Sequence, residues 1–557
     1  MTAPTILQMT PATSLARLAV EALAGVGHVV LCPGSRSAPL AYALAAAEAG
    51  GGPDLHVRHD ERVAAFVALG ASGAVVTTSG TAAANLHPAV LEAHHAGRPL
   101  VVVTADRPPA LRGTWANQTS ELQVSLYGNA VRARLDLADT DAARDPDGAR
   151  AAVRAVVAAA FGAAGRPGPV HLDLGFTEPL VPDDDGASWT PARPAWSARA
   201  EPDDRPLTLA PGPRTVVLAG DGATPAARGL AERGGWPLLA EPSSGARGGT
   251  HAIGPYRLLL ERAELGGAVE RVVVFGRPTL SRPVTALLAR DDVEAVLVSP
   301  YPDWPEPGRP VRRCSRVEVP APDPDGEWLV RWQRAGAAAA AGIDAVLDAE
   351  AAAGRLTGPL VARELAAALR PGETLVVAAS NPIRDVDLAA RPPVGRASLA
   401  VVANRGLAGI DGTLATATGR ALRDGGRVRA LVGDVAFLHD AGALLLGPGE
   451  RRPDLQVVVL NDDGGGIFEL LEYGATAAVG KVSSAAVFER LFGTPHGADL
   501  GALCRAFGVP HELVKDADRL LAVLAGPLPG ISVVEVRAER GRLRALHARL
   551  RAAGRER

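Results

Sequence analysis

Short runs of uninterrupted apolar residues recur along the chain, among them VVLC, LVVVT, TVVLA, RVVVF and QVVVL, and each lies between stretches with helical patterning. A strand that is apolar on both faces has to be covered on both, and a parallel sheet flanked by helices supplies that cover. The pattern therefore predicts an α/β chain of doubly wound parallel-sheet domains. At roughly 100–200 residues per domain, 557 residues make about three of them. The segment 183–212 is polar and proline-rich, the composition of a linker, and it separates a first domain at 1–182 from a middle domain at 213–354 and a third at 355–557.

In open parallel sheets, ligands bind beyond the carboxyl ends of the strands, so the residues just after each apolar run carry the functional information. One such pair is LVGDVAF and VVVLNDDGGGIFELL. Gly433 and Asp434 close the first run. Asn461, Asp462, Asp463 and Gly464 close the second, 27 to 30 positions after Asp434. Magnesium takes oxygen ligands in near-octahedral geometry, usually one or two carboxylates with phosphate oxygens and water. Carboxylates at two strand ends, with glycines that let the backbone approach phosphate, suit a magnesium–diphosphate site. Either segment alone also reads as an ordinary turn. In the first domain, VRHDERVAAF puts Glu61 at the start of a helix, where a carboxylate also has a plain role near the positive end of the helix dipole.

Composition narrows the class of partner. A formal net charge of −3 gives no field for nucleic acid or an anionic membrane, which points to small-molecule ligands. Three widely spaced cysteines, Cys32, Cys314 and Cys504, fit neither a disulfide framework nor a thiolate metal site. The amino-terminal stretch lacks the basic and apolar regions of a secretory leader, and no apolar run is long enough to span a bilayer, so the expected location is cytoplasmic.

The GD and NDDGGG segments resemble the thiamine-diphosphate motif that opens with GDG and closes with NN, with GDV and ND as departures. The resemblance extends further. VVLCPGSRSAPLAYAL, VRHDERVAAF, TTSGTAAANLHPAVLEAHHAGRPLVVVTADRPP, WANQT, ASNPIRDVD, NRGLAGIDGT and FGTPH are together similar to the MenD family of menaquinone-pathway synthases, from about residue 13 to residue 548.

That family is a group of thiamine-diphosphate-dependent transferases that decarboxylate 2-oxoglutarate and add the succinyl unit to isochorismate. The resemblance implies thiamine diphosphate with Mg2+, or Mn2+ in its place, held by Asp434, the side chain of Asp462 and the carbonyl of Gly464. Many members have asparagine where Asp462 stands. It implies that Glu61 works at N1′ of the aminopyrimidine, favouring the imino form of the 4′-amino group that takes the C2 proton, and that it does so from the neighbouring subunit of a homo-oligomer, at least a dimer. Ile410 would prop the bent cofactor, though it also reads as an ordinary core residue, and Asp411 and Gly433 would lie beside it.

Two acidic substrates give the arginines a purpose, because a guanidinium binds carboxylate through two parallel hydrogen bonds and keeps its charge. By the same resemblance Ser35, Arg36, Arg107 and Gln118 act on substrate, and Ser380, Arg384, Arg405 and Arg282 bind it. Ile467, Phe468 and Leu471 would wall the site. Trp115 stands where related sequences have glycine, which alters the loop presenting Gln118. The middle domain resembles the version that carries no FAD, and Gly220 with Gly222 matches only the opening of a dinucleotide fingerprint. Two other readings stay open at this level: another thiamine-dependent 2-oxoacid decarboxylase or acetohydroxyacid synthase-like carboligase, and a nucleotide-binding α/β protein.

Overall fold

The computed structural model describes all residues except 1–8, 183–188, 193–204, 320, 323–325, 396–398, 479–484, 528 and 556–557. Most of the expected linker therefore lies outside the described residues.

Three parallel sheets organise the chain. The first contains β1 (His28–Leu31), β2 (Asp54–Val57), β3 (Ala74–Thr77), β4 (Leu100–Asp106), β5 (Arg134–Ala138) and β6 (Pro169–Gly175) in the order β2-β1-β3-β4-β6-β5. The middle region contains β7 (Pro206–Thr208), β8 (Thr215–Ala219), β9 (Leu238–Ala240), β10 (Arg271–Phe275), β11 (Glu294–Val298), β12 (Arg312–Cys314) and β13 (Arg316–Glu318). Five of these form the sheet β12-β11-β10-β8-β9, and β13 pairs with β7. The last sheet contains β14 (Thr374–Val377), β15 (Ala400–Val402), β16 (Val428–Gly433), β17 (Leu455–Asn461), β18 (His511–Val514) and β19 (Ile531–Arg537), ordered β15-β14-β16-β17-β19-β18.

The first and last sheets thus share one topology. In both, the strand order reverses beside the first strand, at the β1/β3 and β14/β16 junctions. A crevice opens at such a switch point outside the carboxyl ends, and the loops there carry Ser35 and Arg36 after β1 and Asp434 after β16.

The apolar runs behave as their composition requires. Every residue of β3, β4, β6, β8, β10 and β17 is buried. Alternate residues of the middle strands enter two different cores: Val216, Leu218, Val272 and Val274 one, Val217, Ala219, Val273 and Phe275 the other. That is the doubly wound arrangement in its simplest form. Cys32, Cys314 and Cys504 are buried and unpaired. Among the described residues no helix is long and apolar enough to cross a membrane.

The chain forms two compact units. One joins 1–201 with 406–425 and 440–453, and the other comprises 202–405, 426–439 and 454–557. The first unit thus incorporates a segment remote in sequence. Helix Thr413–Asp424 packs on helix Glu61–Ala71 through glycines: a Cβ on Gly419 would lie 1.9 Å from the carbonyl oxygen of Val67, and one on Gly70 would lie 2.2 Å from that of Thr416. Buried Glu92 accepts the Gly406 and Leu407 amides at 2.6 and 2.7 Å and so fixes the start of the segment.

Close backbone approach leaves no room for a methyl group. Gly419→Ala should therefore lower the unfolding free energy by about 1–3 kcal/mol, the usual cost of overpacking. Thermal denaturation measures it, and an unchanged melting temperature would contradict the packing.

Candidate active site

In the first unit, Glu61 is the first residue of helix Glu61–Ala71. The helix is capped by Asp60, whose carboxylate accepts the Arg62 and Val63 amides at 2.9 and 3.1 Å. Capping is thus done by Asp60, and the half-buried Glu61 carboxylate is left to accept Asn85 Nδ2 at 3.2 Å. Ile410 and Asp411, both half-buried, lie in the segment that this unit incorporates.

Ser35 is exposed in the turn after β1, and Arg36 beside it is buried. Arg36 donates to the Phe176 carbonyl at 3.0 Å and lies 3.6 Å from Glu178. Burial, and next the positive charge of Arg107, lower its pKa. Two cations held this near one another suit an anionic ligand. Arg107, directly after β4, is tied to Asn117: Nε donates to the carbonyl at 2.9 Å and Nη2 to Oδ1 at 2.5 Å.

The next residue, Gln118, has a left-handed backbone (φ +50°), and its carbonyl accepts the Ser79 hydroxyl at 2.5 Å. The loop bearing Arg107 and Gln118 is thereby seated on the turn after β3. Trp115, on the same loop, is fully exposed.

In the second unit, Asp434 follows β16 and is 2% exposed. Its Oδ1 accepts the Val435 amide at 2.7 Å, and its Oδ2 accepts the Gly464 amide at 2.9 Å. Gly464 has φ +136°, and a Cβ there would lie 1.9 Å from the Gly493 carbonyl oxygen, so only glycine fits. Asp462 is pushed up to about 7, first by burial and then by the charge of Asp434. A Cβ on Gly466 would meet Asp462 Oδ2 at 1.9 Å, which explains the glycine run. Nothing stands within 4 Å of where a Cβ on Gly433 would be, so the space beside that strand end is open.

Two carboxylates, of which Asp462 is raised by burial and by the charge of Asp434, lie beside a carbonyl and open space and form a hard-oxygen donor set of the kind a divalent cation takes. The residues present fit the metal. They also include one that sequence reasoning left without a role: His496 Nε2 lies 3.2 Å from Asp434 Oδ2, and the His496 amide donates to Asp463 Oδ1 at 3.1 Å. Its only sequence signal is the FGTPH segment.

Ser380 follows β14 with φ +71°, and its carbonyl accepts Arg384 Nη1 at 2.6 Å. Burial and the charge of Arg405 lower the pKa of Arg384. Arg405 is itself buried, donates to Thr279 Oγ1 at 2.8 Å, and keeps a buried Nε without a hydrogen-bond partner among the described residues. Ile467, Phe468 and Leu471 are half-buried in and just after the turn 466–470, with Phe468 against Phe492 at 5.6 Å. Arg282 is largely exposed and bound to Glu472 at 2.7 Å. Gly220 is explained by packing, since a Cβ there would lie 2.0 Å from the Pro278 nitrogen.

Comparison with known proteins agrees with this architecture. Residues 9–126 match the family "Thiamine pyrophosphate enzyme, N-terminal TPP binding domain". The fold is similar to that of benzoylformate decarboxylase from Polynucleobacter necessarius, with TM-score 0.63 and 16% identity over 94% of this chain and 98% of that one. At such identity the likeness concerns the fold alone. Sequence similarity is far closer to 2-succinyl-5-enolpyruvyl-6-hydroxy-3-cyclohexene-1-carboxylate synthases. The one from Kineococcus radiotolerans is 53% identical, covering 98% of this chain and 99% of its own length. The one from Paenarthrobacter aurescens is 49% identical, covering 97% and 96%. With identity near one half over almost the whole length, the chain belongs to the 2-succinyl-5-enolpyruvyl-6-hydroxy-3-cyclohexene-1-carboxylate synthase family of thiamine-diphosphate enzymes.

Proposed function

We propose that this chain joins 2-oxoglutarate, with loss of CO2, to isochorismate, giving 2-succinyl-5-enolpyruvyl-6-hydroxy-3-cyclohexene-1-carboxylate for menaquinone synthesis. The observation that carries the reading is the near-full-length match to synthases of that product, joined to arginine pairs at the strand ends. When bound, thiamine diphosphate supplies the thiazolium carbon that stabilises the negative charge left by decarboxylation. The chain does the rest.

Asp434, Asp462 and the Gly464 carbonyl, at the ends of β16 and β17, would hold Mg2+ or Mn2+, whose charge would bind the diphosphate of the cofactor. Region 355–557 is on this reading the diphosphate-binding domain and region 1–182 the pyrimidine-binding domain, and 213–354 is a middle domain without FAD. Glu61 would hold a proton at N1′ of the aminopyrimidine, and Ile410 would pack against the cofactor. Glu61 and the Asp434–Asp462 pair lie in different compact units. By the family pattern Glu61 serves the site of a partner subunit, so the working form is at least a homodimer with its active sites between subunits.

Arg36 and Arg107, with Ser35 and Gln118, receive substrate carboxylates in the first unit, and Arg282, Ser380, Arg384 and Arg405 receive them in the second. Each charge-assisted hydrogen bond is worth about 1.5–3 kcal/mol, so one lost guanidinium costs about 10- to 100-fold. Arg107→Ala is expected to impair isochorismate use by that factor and leave CO2 release from 2-oxoglutarate nearly unchanged. Steady-state kinetics for each substrate separates the two, and equal losses in both would count against the assignment.

A further inference from the structure

The loop that carries Arg107 and Gln118 leaves the first sheet at Asp106, the last residue of β4, and ends at Gln123. Beneath it three carboxylates stand on three adjacent strands: Asp106 on β4, Asp173 on β6 and Asp136 on β5. Asp136 is the register partner of Asp173. Asp106 and Asp173 are completely buried. A buried pair of like charges is costly to maintain, and the chemistry assigned above uses neither. Their surroundings show what they support.

Arg112, from the middle of the loop, reaches all three. Its Nε lies 2.8 Å from Asp106 Oδ2, its Nη1 and Nη2 donate to Asp136 at 2.7 and 2.9 Å, and its Nη2 lies 3.5 Å from Asp173 Oδ2. The same Nε donates to the Arg107 carbonyl at 3.2 Å, and the Arg107 amide donates to Asp106 Oδ1 at 2.7 Å. At the far end, Gln123 Nε2 donates to Asp173 Oδ1 at 2.8 Å and to the Ala105 carbonyl at 3.2 Å. Its Oε1 accepts the Gly80 amide at 2.9 Å, in the turn on which Gln118 is seated. The Thr104 hydroxyl completes the set on Asp173 Oδ1 at 2.6 Å.

Burial, and then the charge of Asp106, push Asp173 up to about 7. Asp106 is raised as well, chiefly by burial. A network that ties the loop to three strands at this many points holds it in one geometry, where an apolar strap would admit several.

We propose that Arg112, anchored on Asp106, Asp136 and Asp173, is a positioning residue that fixes the loop presenting Arg107 and Gln118 to the acceptor substrate. This rests on the function proposed above, with isochorismate as the acceptor. A planar fork is needed to grip three carboxylates, so lysine is a poor replacement.

The test uses the holoenzyme with thiamine diphosphate and magnesium. Arg112→Ala is expected to raise KM for isochorismate at least about tenfold, while KM for 2-oxoglutarate and its CO2 release without acceptor stay within about twofold. Arg112→Lys recovers only part of the loss, and it carries the test by itself should the alanine variant not fold. Loss of both half-reactions together, or an unchanged KM for isochorismate, would overturn the proposal. If the unmodified enzyme makes no adduct from the two substrates, the parent reading fails. If it does, and Arg112→Ala uses isochorismate normally, only this inference fails.

Discussion

Glu61→Gln is expected to bind thiamine diphosphate with nearly the affinity of the unmodified protein and to lose turnover. The structure makes the substitution clean. Asp60 caps the helix, so removing the charge at position 61 leaves both capping hydrogen bonds in place. Glutamine keeps the shape and can still accept from Asn85. What it cannot do is hold the proton at N1′ of the cofactor. Positioned acid–base groups contribute typically about 10²–10⁴-fold, and a loss in that range is expected in CO2 release from 2-oxoglutarate and in adduct formation alike. Calorimetric titration of the cofactor measures binding separately. Near-normal decarboxylation by the variant would refute the role of Glu61.

Asp434→Ala is expected to do the opposite and abolish metal-dependent cofactor binding. Losing a partner outside the ligand shell typically lowers metal affinity about 10–100-fold, so losing a buried carboxylate ligand should exceed about 100-fold. The variant also strands the Gly464 amide that Asp434 accepts at 2.9 Å, a further cost of about 1–3 kcal/mol. Asp434→Asn, which keeps the acceptor oxygen, separates that local damage from loss of the charge. Calorimetry with magnesium and with EDTA gives the comparison: the unmodified protein should differ sharply between the two conditions and Asp434→Ala hardly at all. Equal, magnesium-dependent affinity in variant and parent would remove Asp434 from the metal site.

Much of this is legible in the sequence. Continuously apolar runs imply strands covered on both faces, and β4, β6 and β17 are buried along their whole length. The placement of two carboxylates at neighbouring strand ends was legible too, because Asp434 and Asp462 each follow such a run.

Strand order was not, since which runs become neighbours depends on long-range packing with no local signal. The union of helices Glu61–Ala71 and Thr413–Asp424 is the same kind of case. Gly70 and Gly419 permit it, yet in sequence they are two glycines among many, and their meaning appears only when each faces a carbonyl of the other helix. His496 is a lone histidine 62 positions from the aspartate that it contacts. Arg112 is hidden by the abundance of arginine, and only the convergence of three adjacent strands sets it apart. Conversely, Arg282 and Gly220 drew notice by their motifs. The structure gives the first an exposed ion pair with Glu472 and the second a packing role against Pro278.

The bond that this enzyme makes is tested most directly by the mass of its product. Purified protein with thiamine diphosphate, magnesium, 2-oxoglutarate and isochorismate is predicted to release one CO2 per turnover and yield 2-succinyl-5-enolpyruvyl-6-hydroxy-3-cyclohexene-1-carboxylate. An aldehyde or an acetohydroxyacid as the product, or unconsumed isochorismate, would contradict it.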